Sequence, residues 1–229
     1  MILSKRLQCI ADLVPVGSRV VDVGTDHAYI PLWLLEHGVS EYVIASDIKE
    51  GPLEKAKNNA LREGTREGIR FVLAPGLAGC EAEEVDCILI AGMGGETIIE
   101  ILTAAPWARE KHLVLQPQTK LPQLRRWLND NAYDVIDARL VYDSGRLYQV
   151  WQVVAGARRG LTAFELLLEP SLVAKADPLL PVYVDQLVKK LHIRIQGLEK
   201  AASGDDRELE ECRSCLAYLL DMRKENEHG

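Results

Sequence analysis

The chain has 229 residues, 48% of them hydrophobic and 27% charged, which suits one substantial core with a small appendage beside it. The N-terminus lacks a charged and apolar leader, and no apolar run is long enough to cross a bilayer, so no signal peptide and no membrane partner are expected, with the cytoplasm as compartment. A net charge of −7 argues against a uniformly basic nucleic-acid binder, yet residues 1–119 carry 11 basic and 17 acidic side chains whereas residues 120–200 carry 12 and 9.

In chain order, short β-branched runs alternate with helical patterns, as in a parallel α/β sheet. Strands are predicted at Arg19–Gly24, Glu41–Asp47, Ile69–Ala74, Asp86–Ala91 and Lys111–Gln116. Helices are predicted at Gly51–Glu63, where Leu53, Ala56, Ala60 and Leu61 recur at helical spacing, and at Gly94–Ala105 and Leu121–Asn131. Tyr133–Val141 and Leu147–Val154 then read as an antiparallel hairpin around Tyr142–Arg146. The expected fold is a Rossmann-like, mostly parallel sheet of seven strands with an antiparallel edge hairpin.

The small and basic run Ala155–Gly160 marks a boundary, predicting one domain over 1–155 and a helical extension over 156–229. Val184, Val188, Leu191, Ile195, Leu198 and Ala202 form the seam of a packed helix. Ser203-Gly204-Asp205-Asp206 breaks it, and a second helix with Leu209, Cys212, Leu216 and Leu219 on one face should fold back as a helical hairpin. Cys212 and Cys215 have CxxC spacing, but no second pair completes a zinc site, so two small residues near a helix seam is the favoured reading and no metal is expected. Oligomeric state does not follow from the sequence.

The chemistry concentrates where strands run into helices. A dinucleotide site would place GxGxxG after the first strand, for backbone amides to approach a pyrophosphate. Here Asp22 precedes Gly24, and Asp26 stands where the second glycine would be. Two carboxylates repel a diphosphate and suit a cation, and S-adenosylmethionine carries a sulfonium and an ammonium. Asp47 ends the second strand, twenty-five residues after Asp22, where an acid can accept both ribose hydroxyls, with Ile48 as an apolar wall for the adenine. Pro75-Gly76-Leu77 can bring backbone to the adenine edge, and a plain turn explains it equally well. Ala91-Gly92-Met93-Gly94-Gly95 lets backbone approach a ligand and leaves room for a flat substrate, or is simply a tight strand-to-helix turn.

Val21–Pro31 (VDVGTDHAYIP), Asp47–Leu53 (DIKEGPL), Ile90–Gly95 (IAGMGG) and Leu115–Gln118 (LQPQ), in that order over residues 5–155, resemble the bacterial tRNA (adenine-N1)-methyltransferases that act on adenine 22. The helical pair resembles that family's coiled-coil-like extension. The resemblance implies a class I methyltransferase fold, S-adenosylmethionine as methyl donor and tRNA as substrate.

With that reading the expected cofactor contacts are Asp22, Gly24, Thr25, His27, Asp47, Ile48, Gly76, Leu77, Ala91, Gly92 and Met93. Tyr29, Gly94, Gln116 and Gln118 are expected around the base, Tyr29 as a stacking partner or as a part-buried aromatic with a bonded hydroxyl. Asp26 is the candidate catalytic residue, stabilising the cation that forms on the methylated base, or alternatively the N-cap of a helix over His27–His37. For tRNA the candidates are Lys120, Arg125, Arg126, Arg146, Lys189, Lys190 and Arg194, each with a solvated surface role as its alternative. Competing readings are a methyltransferase of a small molecule or protein, an NAD-dependent oxidoreductase, and a non-catalytic RNA-binding protein.

Overall fold

The protein is described from a computed structural model covering residues 1–65, 67–200 and 206–227. It divides into two units, residues 1–159 and 160–229. In the first, α1 (Lys5–Ala11) precedes β1 (Val20–Val23), α2 (Tyr29–Glu36), β2 (Val43–Asp47), α3 (Glu50–Arg62) and β3 (Ile69–Leu73). Then follow β4 (Cys87–Met93), α4 (Gly95–Ala104), β5 (His112–Pro117), α5 (Leu121–Asp130), β6 (Tyr133–Asp143) and β7 (Arg146–Ala155).

The sheet order is β3-β2-β1-β4-β5-β7-β6. The first five strands pair in parallel, and β7 pairs antiparallel with both β5 and β6. The hairpin therefore docks through its second strand, and β6 forms the outer edge. Ser144 and Gly145, both with positive φ (50° and 78°), close it as a two-residue turn whose twist matches that of the strands.

The central strands are buried on both faces, which is why they read as predominantly apolar runs without a polar alternation. Val20, Val43, Cys87, Leu89 and Val114 pack with Ile10 of α1 and with Ile30 and Leu34 of α2 into one core. Helix α1 lay outside the predicted elements. Ser4 caps it, its hydroxyl accepting the Leu7 N–H at 3.4 Å, and Leu7 and Ile10 of the helix join Leu3 ahead of it in the core against the sheet.

The sheet unit runs slightly past the predicted boundary because Asn129 bonds both backbone groups of Arg159, at 2.9 and 3.0 Å. In the second unit, α6 (Ala163–Leu167) and α7 (Pro170–Ala174) precede the long α8 (Leu180–Lys200) and α9 (Asp206–Glu227). Ion pairs Asp185–Arg223, Arg194–Glu208 and Glu199–Arg213 fix α8 and α9 as antiparallel partners. Val184, Val188, Leu191 and Ile195 are buried in α8 as expected and Leu198 is only partly covered, whereas in α9 Cys215 and Leu219 are buried and Leu209, Cys212 and Leu216 are only partly covered. Ala202 and residues 203–205 of the predicted break lie outside the described residues.

Candidate active site

Parallel strands of an α/β sheet end at one edge, and the loops that leave them there form the ligand face. A cleft of about 820 Å³ lies on that face. Gly24, Asp26, Asp47, Ile48, Gly76, Leu77 and Met93 line it, seven of the residues expected around cofactor or substrate. Thr97, Ile101 and Trp107 also line it and were not anticipated, because they belong to α4 and the turn behind it rather than to strand ends.

The β1–α2 turn decides the cleft's shape. Gly24 has φ +74°, where any other side chain is strained, and a Cβ there would overlap Met93 Cε and push the flexible end of that side chain aside. Asp22 and Thr25 are buried beneath the turn rather than lining it, and Thr25 Oγ1 donates to Asp22 Oδ2 at 2.7 Å. Burial holds the Asp22 carboxyl up at about 6, against the opposing Thr25 hydrogen bond and with a smaller push from Asp47.

Asp26 does not cap a helix. Helix α2 starts at Tyr29, its N-cap position is Ala28 with φ 57°, and the Ala28 N–H closes a turn onto Thr25 O at 2.9 Å. Asp26 is the first inner residue of that turn, with φ 52° and its side chain 65% exposed in the cleft. Its backbone N–H donates to Asp47 Oδ2 at 3.3 Å, while Asp47 Oδ1 accepts the Lys49 N–H at 2.9 Å. Two backbone donors thus fix the Asp47 carboxylate at the mouth of β2 and leave it acceptor capacity toward the cleft.

His27 and Tyr29 stack, ring centroids 5.2 Å apart and planes within 11°. His27 is not part of the cleft wall, and its Nε2 lies 3.6 Å from Asp26 Oδ2. Tyr29 is 42% exposed, so it presents aromatic surface to solvent rather than packing into the core.

Beyond β4 the loop is stitched to the loop beyond β5. The Gln118 N–H donates to Met93 O at 2.8 Å and the Gly95 N–H to Thr119 O at 2.9 Å. Ala91 and Gly92 are not part of the cleft wall. Gln118 is exposed beside Gly92, and Gly94 faces the Thr119 hydroxyl. Gln116 departs from expectation. It is fully buried, its Oε1 accepts from the Gly92 N–H at 3.2 Å and from Arg6 Nη1 at 2.9 Å, and its Nε2 donates to Pro117 O at 3.2 Å. With its amide engaged inside the protein, Gln116 has no edge to offer a base.

Residues 3–151 match the family described as "Methyltransferase domain". The chain is 35% identical over 158 residues to the tRNA (adenine(22)-N(1))-methyltransferase of Bacillus subtilis, spanning 68% of this chain and 66% of that protein. It superposes on the crystal structure of the B. subtilis M1A22 tRNA methyltransferase TrmK with a TM-score of 0.83, at 28% identity, covering 97% of this chain and 99% of that one. Sp1610 of Streptococcus pneumoniae in complex with S-adenosyl-L-methionine gives 0.79 at 32% identity, covering 97% and 100%. The chain belongs to the tRNA (m1A22) methyltransferase family.

Of the basic residues expected to hold RNA in this family member, Arg125 is a correction. It is 4% exposed on the inner face of α5 beside Leu124 and Leu128, and a guanidinium in that place cannot reach a phosphate. Arg126, its neighbour, is exposed, as are Arg146 in the hairpin and Lys189 and Lys190 on α8. Two others are exposed but already paired: Lys120 with Glu96 at 3.8 Å and Arg194 with Glu208 at 2.5 Å. No cluster of His, Cys, Asp and Glu suited to a metal occurs among the described residues, and no helix there is long and apolar enough to cross a membrane.

Proposed function

We propose that this chain transfers the methyl group of S-adenosylmethionine to N1 of adenine 22 in tRNA, in the cytoplasm. The observation that carries the reading is the Gly24–Asp26–Asp47 corner of the cleft, an open glycine turn flanked by carboxylates, in a chain whose relatives include a tRNA (adenine(22)-N(1))-methyltransferase. When bound, S-adenosylmethionine supplies an electrophilic methyl on a sulfonium.

This chain's residues do the rest. Asp47, held by the Asp26 and Lys49 amides, accepts the ribose hydroxyls, and Ile48 and Leu77 sandwich the apolar adenine faces. Asp22, beneath the turn, favours a cationic occupant above it. The lone pair of the target N1 needs no prior deprotonation, so no general base is required, and it displaces sulfur in line as the positive charge passes to the ring. Asp26 accepts a hydrogen bond from the exocyclic amine and stabilises that growing charge. Tyr29 stacks on the base, which must first leave its own stack. Arg126, Arg146, Lys189 and Lys190 contact phosphates, and Lys120 and Arg194 join them by exchanging their carboxylate partners.

Incubation with methyl-labelled S-adenosylmethionine and tRNA, followed by nuclease mapping, tests this directly. Label at N1 of adenine 22, lost in a tRNA with guanine there, is the expected result. Unlabelled tRNA, or label at another position, would overturn it.

A further inference from the structure

Gly92 sits in a break of the sheet. Ala91 of β4 pairs with Gln116 of β5 and Met93 pairs with Pro117, so Gly92 is an extra residue, bulged out with φ +78°. A bulge leaves a backbone N–H without a ladder partner, and here the Gln116 side chain supplies one. The same Gln116 oxygen is held by Arg6 Nη1. Arg6 is itself fixed twice more: its backbone N–H donates to Asp143 Oδ2 at 3.3 Å, and its guanidinium lies 5.5 Å from the Tyr148 ring centroid.

The bulge aims the next residue. Met93 lines the cleft and fills the space that Gly24 leaves open, and its carbonyl receives Gln118. A continuous chain of contacts thus runs from the N-terminal helix through a buried amide to the turn where the donor is to bind. Resting on the proposed methyl transfer, we propose that Arg6 and Gln116 are positioning residues: they hold the Gly92 bulge, and through it Met93 and Gly94, in the arrangement required for transfer. Neither touches substrate. Bulges re-aim side chains next to active sites, and small misplacements there carry large rate penalties.

The test uses the full chain as wild type, Gln116→Met, Gln116→Glu, Arg6→Ala and Arg6→Lys. Steady-state kinetics on tRNA is combined with amide hydrogen exchange over residues 90–95. Gln116→Met removes the acceptor at similar volume, and kcat should fall about tenfold with KM for tRNA within twofold. Exchange at 90–95 should quicken in the same variant. Gln116→Glu keeps the acceptor for Gly92 and Arg6, and should recover kcat to within about threefold of wild type. Arg6→Ala should show a smaller loss of the same kind, and Arg6→Lys should lie between it and wild type. Should Gln116→Met fail to fold, Arg6→Ala, with a surface-reaching side chain, carries the test.

Unchanged exchange at 90–95 in the folded variants overturns the proposal whatever their activity. So does wild-type kcat in a variant whose exchange has quickened. A wild-type protein that leaves tRNA unmethylated sinks the proposed function instead, and the exchange result still decides whether Arg6 and Gln116 hold the bulge.

Discussion

The Thr25 hydroxyl donates to the Asp22 carboxylate at 2.7 Å, with both side chains shut away from water. That hydrogen bond favours the ionised acid, and burial, the larger influence, disfavours it, leaving Asp22 at about 6 instead of 3.8. An acid whose pKa is raised on folding costs stability wherever the unfolded carboxyl has ionised and the folded one resists ionising. The penalty is small at pH 4, builds between about pH 4 and 6 and is full above that. Asp22→Asn should therefore raise the unfolding free energy by roughly 1–3 kcal/mol at pH 7.5 and by about 0.5 kcal/mol or less at pH 4, read from denaturant midpoints at the two pH values.

The same group ties cofactor binding to protons. Near pH 6 a substantial fraction of Asp22 is protonated in the free protein. A cationic ligand above it favours the carboxylate, so binding at pH 6 should release about half a proton, whereas at pH 8 release from this group should be close to zero. Calorimetry in buffers of different ionisation enthalpy measures the number. Release that persists in Asp22→Asn would assign it to another group.

Asp26 has no helix to cap and stands exposed in the cleft. Asp26→Asn preserves the backbone N–H that donates to Asp47, so affinity for S-adenosylmethionine should stay within about threefold while kcat falls roughly 10- to 100-fold. Single-turnover kinetics alongside equilibrium dialysis separates the two effects. Full turnover in this variant would remove Asp26 from the chemistry.

Gly24→Ala imposes positive φ on an alanine and pushes Met93 Cε from its place. The strain costs about 1 kcal/mol, and the displaced methionine moves within the cleft, so the dissociation constant for S-adenosylmethionine should rise at least fivefold. Met93→Ala in the same background should recover part of that loss, because it removes the overlap and leaves only the backbone strain. Titration of the three variants by intrinsic fluorescence or calorimetry checks the coupling.

Arg125 and Arg126 are adjacent and should behave as opposites. Arg126→Ala removes an exposed charge and should weaken tRNA binding a few-fold, with the slope of log K against log salt reduced by about 0.7–0.9. Arg125→Ala empties a buried position, lowering stability by about 2 kcal/mol or more with the salt slope unchanged. Filter binding at several salt concentrations, with melting temperatures, distinguishes them.

These two arginines also show where sequence was readable. Leu121, Leu124, Arg125 and Leu128 recur at helical spacing, so the period itself puts Arg125 on the inner face, and charge alone is a poor guide to exposure. The central parallel strands β1, β2, β4 and β5 were legible because strands covered on both faces are predominantly apolar, and the edge strand β3 from its β-branched and aromatic run. Asp47, Gly24 and Met93 were legible because strand ends are where such sheets hold ligands. Helix α6 could have been found from the Thr162 and Glu165 capping box, which the structure forms in both directions. Gln116 and Arg6 could not: their partnership spans 110 residues and depends on a bulge that no local pattern announces.

The place of β7 has one more consequence. It is the last strand in the chain order of the sheet, yet it lies inside the sheet between β5 and β6. During synthesis, β5 keeps a bare flank until residue 155 has left the ribosome, and β6 has nothing to lean on before then. A nascent chain halted at residue 145 would hold all five parallel strands and still present an open, adhesive border to its neighbours.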